Sequence, residues 1–416
     1  MCSSDLKLAL AYFELGRAPQ AAAEFERVAA AATDPALARA ALWQAAELHQ
    51  KSVAGAAPRS AALATSIRAW ERYLKQYPQP LEPAVRARSY LAVLYRQDAN
   101  PARATAWTRA VQLADSESGD ARTSLTRKLG GEATLTLAEP LLEAYRKVTL
   151  TEPLARQLKL KKARMDEALK AYASAAEVGV LDVTTAATYA SAALYQDFGK
   201  ALMTSERPKK LSKLELEQYN VMLEEQAFPF EEKAIDLFET NTKRIPAGVY
   251  DDAVKRSLAE LARLKPVRYG KLERGAAPTG SALPALQAAL AAAAEGAPAR
   301  PHLLNQIGIA EREAGHFDKA REAYEAAMAL EASAVEPRLN LGILNDIYLG
   351  DAARAQALYQ QCLALSPADA ATLNRWLAEL KTRKPDTPAA TATAGAAPAE
   401  ATATAAATQA KPKDKE

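Results

Sequence analysis

Three observations predict an all-α protein built of stacked helical hairpins. Hydrophobic residues make up 49% of the 416-residue chain but aromatics only 6%, and alanine is the commonest residue, so the apolar content is largely small and helix-forming. Apolar residues recur at helical spacing along most of the chain. From Gly308 to Gly342 the pattern repeats at a step of 34 residues, the mark of an array in which each hairpin buries its face against the next.

Taken in order, residues 1–131 read as three loose hairpins. Ala9, Tyr12, Gly16, Ala21, Phe25 and Val28 form the first, closed by Asp34-Pro35. Leu42, Ala46, His49, Trp70, Tyr73 and Leu74 form the second, with an insertion at 55–58 and a stop at Tyr77-Pro78. Leu91, Ala92, Tyr95, Ala104, Thr108 and Val111 form the third. Residues 132–270 read as longer, divergent hairpins: Ala168, Tyr172 and Ala175, then Ala234, Phe238, Asn241 and Pro246, keep second-helix spacing. There, Pro229 is expected to open a new helix, because proline suits a first turn. Residues 271–300 are expected to be a linker with a short alanine-rich helix, bounded by breaks at 275–280 and 296–298. Residues 301–384 follow as a C-terminal pair of hairpins with a closing helix, and 385–416, rich in Ala, Thr, Pro and Lys, as a disordered tail.

The pattern is clearest in 301–334, where Leu304, Ile307-Gly308, Gly315, Ala320, Tyr324 and Ala327 fall at positions 4, 7, 8, 15, 20, 24 and 27 when Pro301 is position 1. Small residues at 8, 20 and 27 let two helices approach, and large ones fill the rest. Leu341-Gly342, Ala355, Tyr359, Cys362 and Pro367 repeat it, with one extra residue assigned to the turn at 348–351. These residues resemble the tetratricopeptide-repeat family, whose fold is a helical-hairpin solenoid and whose members bind peptides or helices of partner proteins. The segments 339–351 and 224–234 also resemble bacterial envelope members of that family, which accompany TonB/Tol-type systems. That narrower likeness implies a structural component of a cell-envelope complex as the alternative function. It places the chain in the periplasm or at the outer membrane if the N-terminus is truncated, and otherwise in the cytoplasm. Cys2-Ser3-Ser4-Asp5 is similar to the start of a mature lipoprotein.

Charge excludes several classes of function. Fifty-three basic residues nearly balance 50 acidic ones, so nothing favours nucleic acid or a membrane surface. The basic clusters 159–164 and 207–213 lack interleaved stacking aromatics and read as solvated faces or contacts for an acidic protein. Cys2, Cys362, His49, His302 and His316 show no metal-ligand spacing, and no phosphate-binding or nucleophile motif occurs; neither an enzyme nor a cofactor is expected. Cys362 is expected to be a buried, inert thiol, and His316 to follow a helix cap.

Inward-facing first-helix positions supply the candidate partner-binding residues: Asn305, Ile309, Arg312, Asn340, Ile343, Asn374 and Arg375. His302, Gln306 and Asp346 share that face. Asparagine amides can hold a peptide backbone from both sides, arginine can clamp a carboxylate, and Ile309 and Ile343 would floor the groove. The alternative is that these side chains are simply solvated polar groups on the helix surface.

Overall fold

The computed structural model describes residues 2–209, 211–275 and 282–383. The expected tail, 385–416, and most of the 275–280 break lie outside them. Eighteen α-helices and no strand occur among the described residues. They gather into two compact units, one from Met1–Ala187 and Thr204–Lys210, the other from Thr188–Met203 and the described residues from Leu211 on.

In the first unit, α1 (Cys2–Glu14), α2 (Ala18–Ala31), α3 (Pro35–Lys51), α4 (Ala61–Gln76), α5 (Leu81–Gln97), α6 (Pro101–Ser116), α7 (Ser124–Arg146) and α8 (Leu154–Ala176) each pack on the next. Local chemistry sets their starts. Asp34, Ser60 and Asn100 accept backbone N–H groups of α3, α4 and α6, and proline follows at the first helical position of α3 and α6. Trp70, Tyr73, Leu42 and Leu91 are buried together, with Trp43 edge-on to Trp70 at 4.7 Å. Gly130 and Gly131 sit where a Cβ would lie 2.6 Å from Asp115 and 2.7 Å from Val183, so they permit the close approach of neighbouring helices. Lys161, expected on a solvated face, is instead buried: its Nζ donates to the carbonyls of Tyr145 and Val148 at the end of α7 and lies 3.9 Å from the Tyr145 ring centroid.

The second unit contains the later part of α9 (Leu181–Met203), then α10 (Lys213–Thr242), α11 (Asp252–Leu264), α12 (Pro266–Tyr269), α13 (Ala282–Ala292), α14 (Arg300–Ala314), α15 (Phe317–Leu330), α16 (Val335–Ile343), α17 (Ala352–Leu365) and α18 (Ala370–Thr382). Pro229 does not open a helix; α10 runs through it for 30 residues. The carbonyl that proline leaves unpaired belongs to Glu225, and both residues are exposed, so water can satisfy it. Ile245 and Val254 share one core with Ile309, Phe317, Tyr324, Leu341, Leu344 and Leu358. The described residues of the 271–300 stretch, 271–275 and 282–300, belong to this unit.

Two hairpins, α14/α15 and α16/α17, are superposable in their chemistry. A Cβ on Gly308 would collide with the Tyr324 ring, and one on Gly342 would lie 2.7 Å from the Tyr359 ring. Each first helix ends on a left-handed glycine, Gly315 at φ 86° and Gly350 at φ 71°. The spacing between these caps is one residue longer than between Gly308 and Gly342. The extra residue is not in the turn, as expected, but inside the helix, where Leu344–Leu349 forms a π-helical turn.

Candidate functional site

Along α14 and α16 lies an extended stretch of the chain's own backbone, Gly270–Gly275, which follows α12 without regular structure. Its side chains alternate as in a strand: Lys271 is buried, Leu272 is 80% exposed and Glu273 turns inward again.

The backbone of Arg274 is held by two amides. Its N–H donates to Asn340 Oδ1 at 2.8 Å, and its carbonyl accepts from Asn340 Nδ2 at 2.8 Å and Asn305 Nδ2 at 2.9 Å. Asn340 Nδ2 also donates to Asn305 Oδ1 at 2.9 Å, which fixes the two amides relative to each other. Both asparagines are buried, so each of these polar groups needs the partner it has. At Gly275, where φ is 77°, a Cβ would lie 2.5 Å from Asn305 Nδ2.

Every charge of the segment meets an opposite one. Glu273 accepts from Arg312 Nε at 2.9 Å and from Arg312 Nη2, and its other oxygen accepts from the Tyr324 hydroxyl at 2.7 Å. Burial pushes the Glu273 carboxyl above the ordinary range, against the pull of Arg312 and Tyr324. Lys271 Nζ donates to Asp346, with neither side chain exposed, and Arg383 and Tyr359 hold Asp346 at 2.7 and 3.1 Å. Glu379 lies 3.9 Å from Lys271, whose ammonium is 5.4 Å from the Tyr359 and Trp376 ring centroids. Burial lowers the Lys271 pKa, opposed first by Asp346. The Arg274 guanidinium pairs with both oxygens of Asp369, at 2.5 and 2.7 Å. Asp369 is held down to about 2, chiefly by the hydrogen bond from Arg274.

Of the candidate residues, Asn305, Arg312 and Asn340 are thus brought together on this segment. Ile309 and Ile343 are not a groove floor. Ile309 packs among Phe317, Tyr324 and Val254, and Ile343 among Tyr359, Leu373 and Leu377, because their helix positions point into the packing between hairpins. Asn374 and Arg375 are exposed on α18 and make no hydrogen bond to the segment. Asp346, placed on the same inward face by its repeat position, also meets the segment, whereas Tyr324, Asp369, Glu379 and Arg383 were not assigned to the site from the sequence. The opposite charges of Arg312 and Asp346 at one repeat position were the available signal.

The two C-terminal hairpins thus share a 34-residue step, a glycine–tyrosine contact and a left-handed glycine cap. No protein-family model and no curated protein matches the chain. Among solved structures, it aligns with the TPR2AB-domain:pHSP90-complex of yeast Sti1 at 9% identity, over 92% of this chain and 99% of that one, with a TM-score of 0.26. Yeast Tom70 aligns at 12% identity over 91% and 88%, with a TM-score of 0.24. A circular tandem repeat protein aligns at 15% identity over 91% and 88%, with a TM-score of 0.23. No described helix is long and apolar enough to cross a membrane.

Proposed function

We propose that the chain is a non-catalytic protein-interaction module whose C-terminal tetratricopeptide-type groove reads an extended peptide. One observation carries this reading: Asn305 and Asn340 hold both polar groups of a single residue's backbone, that of Arg274, which is recognition of main chain rather than of any particular side chain. The charged positions to either side, Arg312 and Asp346, then select sequence by carboxylate and ammonium. Asn374 and Arg375, exposed on α18, belong to the same proposed surface.

The test uses the full chain with its own segment weakened by Lys271→Ala and Glu273→Ala. A fluorescent peptide copying residues 269–275 should bind this variant saturably, and Asn305→Ala with Asn340→Ala should weaken binding by about ten- to a hundredfold, the loss of three main-chain hydrogen bonds at about 0.5–1 kcal/mol net each. Absence of saturable binding to a variant of unchanged helical content would overturn the reading. In-cell crosslinking from Arg375 would identify the natural partner; envelope components there would favour the alternative, a structural member of a cell-envelope complex.

A further inference from the structure

We infer that Gly270–Gly275 is an internal ligand that closes the groove, and that the partner which displaces it is an extended peptide with a lysine and an acidic residue two positions apart and a glycine two positions further on. The inference rests on the reading of the groove as a peptide site and adds its regulation and the chemistry of its partner.

The way the segment is held supports it. Leu272 is the one large apolar side chain between Gly270 and Gly275, and it is 80% exposed. Hydrophobic burial therefore does not anchor the segment. What holds it is a set of discrete polar pairs: an ammonium on Asp346, a carboxylate on Arg312 and Tyr324, a stretch of main chain on Asn305 and Asn340. Each of these pairs can be reformed one for one by the same groups on another chain, so exchange leaves no buried charge unpaired at its end. A peptide lacking the carboxylate would leave Arg312 without its buried partner, and one lacking the ammonium would leave buried Asp346 to an arginine, Arg383, that it shares with Glu379, which is how the groove rejects both.

Position 275 adds a steric condition. The positive φ, and the 2.5 Å that would separate an added Cβ from Asn305, mean that only glycine passes this point without displacing the amide that holds the backbone. The required pattern is Lys-x-Glu-x-Gly, read from 271 to 275. Because the segment is tethered directly to α12, it competes at an effective concentration of order millimolar, and a free peptide of the same sequence must exceed that to enter.

The experiment uses the intact full chain with Cys2→Ser and Leu272→Cys, carrying an environment-sensitive fluorophore at position 272. The peptide copying 269–275 is titrated against this chain and against the opened Lys271→Ala/Glu273→Ala variant. A control peptide exchanges its lysine and glutamate. The expected result is binding at least tenfold weaker to the intact chain than to the opened one, a fluorophore response that tracks occupancy, and no binding of the exchanged peptide. Equal affinity for intact and opened chains, or saturation without a fluorophore response, would overturn the closure while leaving the peptide site standing. Binding to neither would remove both. If the double variant fails to fold, Gly275→Ala opens the groove by backbone strain with every charge retained, and the same comparison applies.

Discussion

Arg312 and Asp346 stand at the same position of consecutive repeats, 34 residues apart, and they bind opposite charges two residues apart on one segment, Glu273 and Lys271. The two hairpins share a backbone plan, yet at this position one is a reader of carboxylate and the other of ammonium. The segment runs against the repeat order, its earlier residue meeting the later hairpin.

Arg312→Ala strands Glu273 in a buried site. Breaking such a pair from one side typically costs about 3–5 kcal/mol. Adding Glu273→Gln, which removes the uncompensated charge, should recover most of the loss. Denaturant titration of the single and double variants checks it; equal instability of the two would show that the loss is one of packing.

Asp369 gives a pH dependence of defined sign. Its carboxyl is held at about 2 in the folded chain, below an ordinary aspartate near 3.9. A depressed carboxyl contributes stability that is whole above the unfolded pKa and is lost as pH falls through the folded one. The melting-temperature gap between wild type and Asp369→Asn should therefore be constant above about pH 5, narrow between about 4 and 2, and vanish below. The gap will be small, since the pair with Arg274 is partly exposed and screened by salt. Glu273, raised rather than lowered, works in the opposite sense, and taking the difference between the two chains cancels it.

Two helical glycines should respond to alanine with opposite sign. At Gly308 the added methyl meets the Tyr324 ring, and overpacking of roughly 1–3 kcal/mol outweighs the better helix propensity of alanine. At Gly199 the nearest atom to a Cβ is a backbone oxygen at 3.5 Å, ordinary contact, so alanine should stabilise by about 0.5–1 kcal/mol. Thermal melts of the two variants settle the signs.

Cys362 is fully buried, and burial pushes its thiol up to about 11. In a Cys2→Ser chain at pH 8, labelling by a thiol reagent should proceed only through unfolding, at a rate that levels off at the unfolding rate once labelling of the opened chain outruns refolding. Immediate labelling of the native protein would show that the site around α17 opens locally.

The hairpins were legible because their signals are steric: glycine where two helices touch, glycine again where a helix ends left-handed, and tyrosine opposite. The break at Asp34-Pro35 was legible too, while the caps at Ser60 and Asn100 were passed over, although a short polar side chain before a helical run was the signal for each. Pro229 misled because a missing N–H ends a helix only when nothing can satisfy the freed carbonyl, and exposure is invisible in sequence. The segment at 270–275 was not legible at all. A lysine and a glutamate flanking a leucine look like solvated charge in a region of shifting composition. Their burial depends on partners at 312 and 346, dozens of residues away. Asn305, Arg312 and Asn340 could be placed by repeat position, but repeat position alone did not reveal that Ile309 and Ile343 point into the packing.

The π-helical turn at Leu344–Leu349 changes how this region can tolerate editing. A residue gained within a helix ordinarily rotates everything beyond it by about 100°. Here the widened turn absorbs that rotation over six residues, so Gly342 keeps its contact with Tyr359 while Gly350 still closes the helix. Asp346 sits within the widened turn. The reader of the lysine is thereby carried on a local expansion of the scaffold, whereas Arg312 stands on an uninterrupted helix.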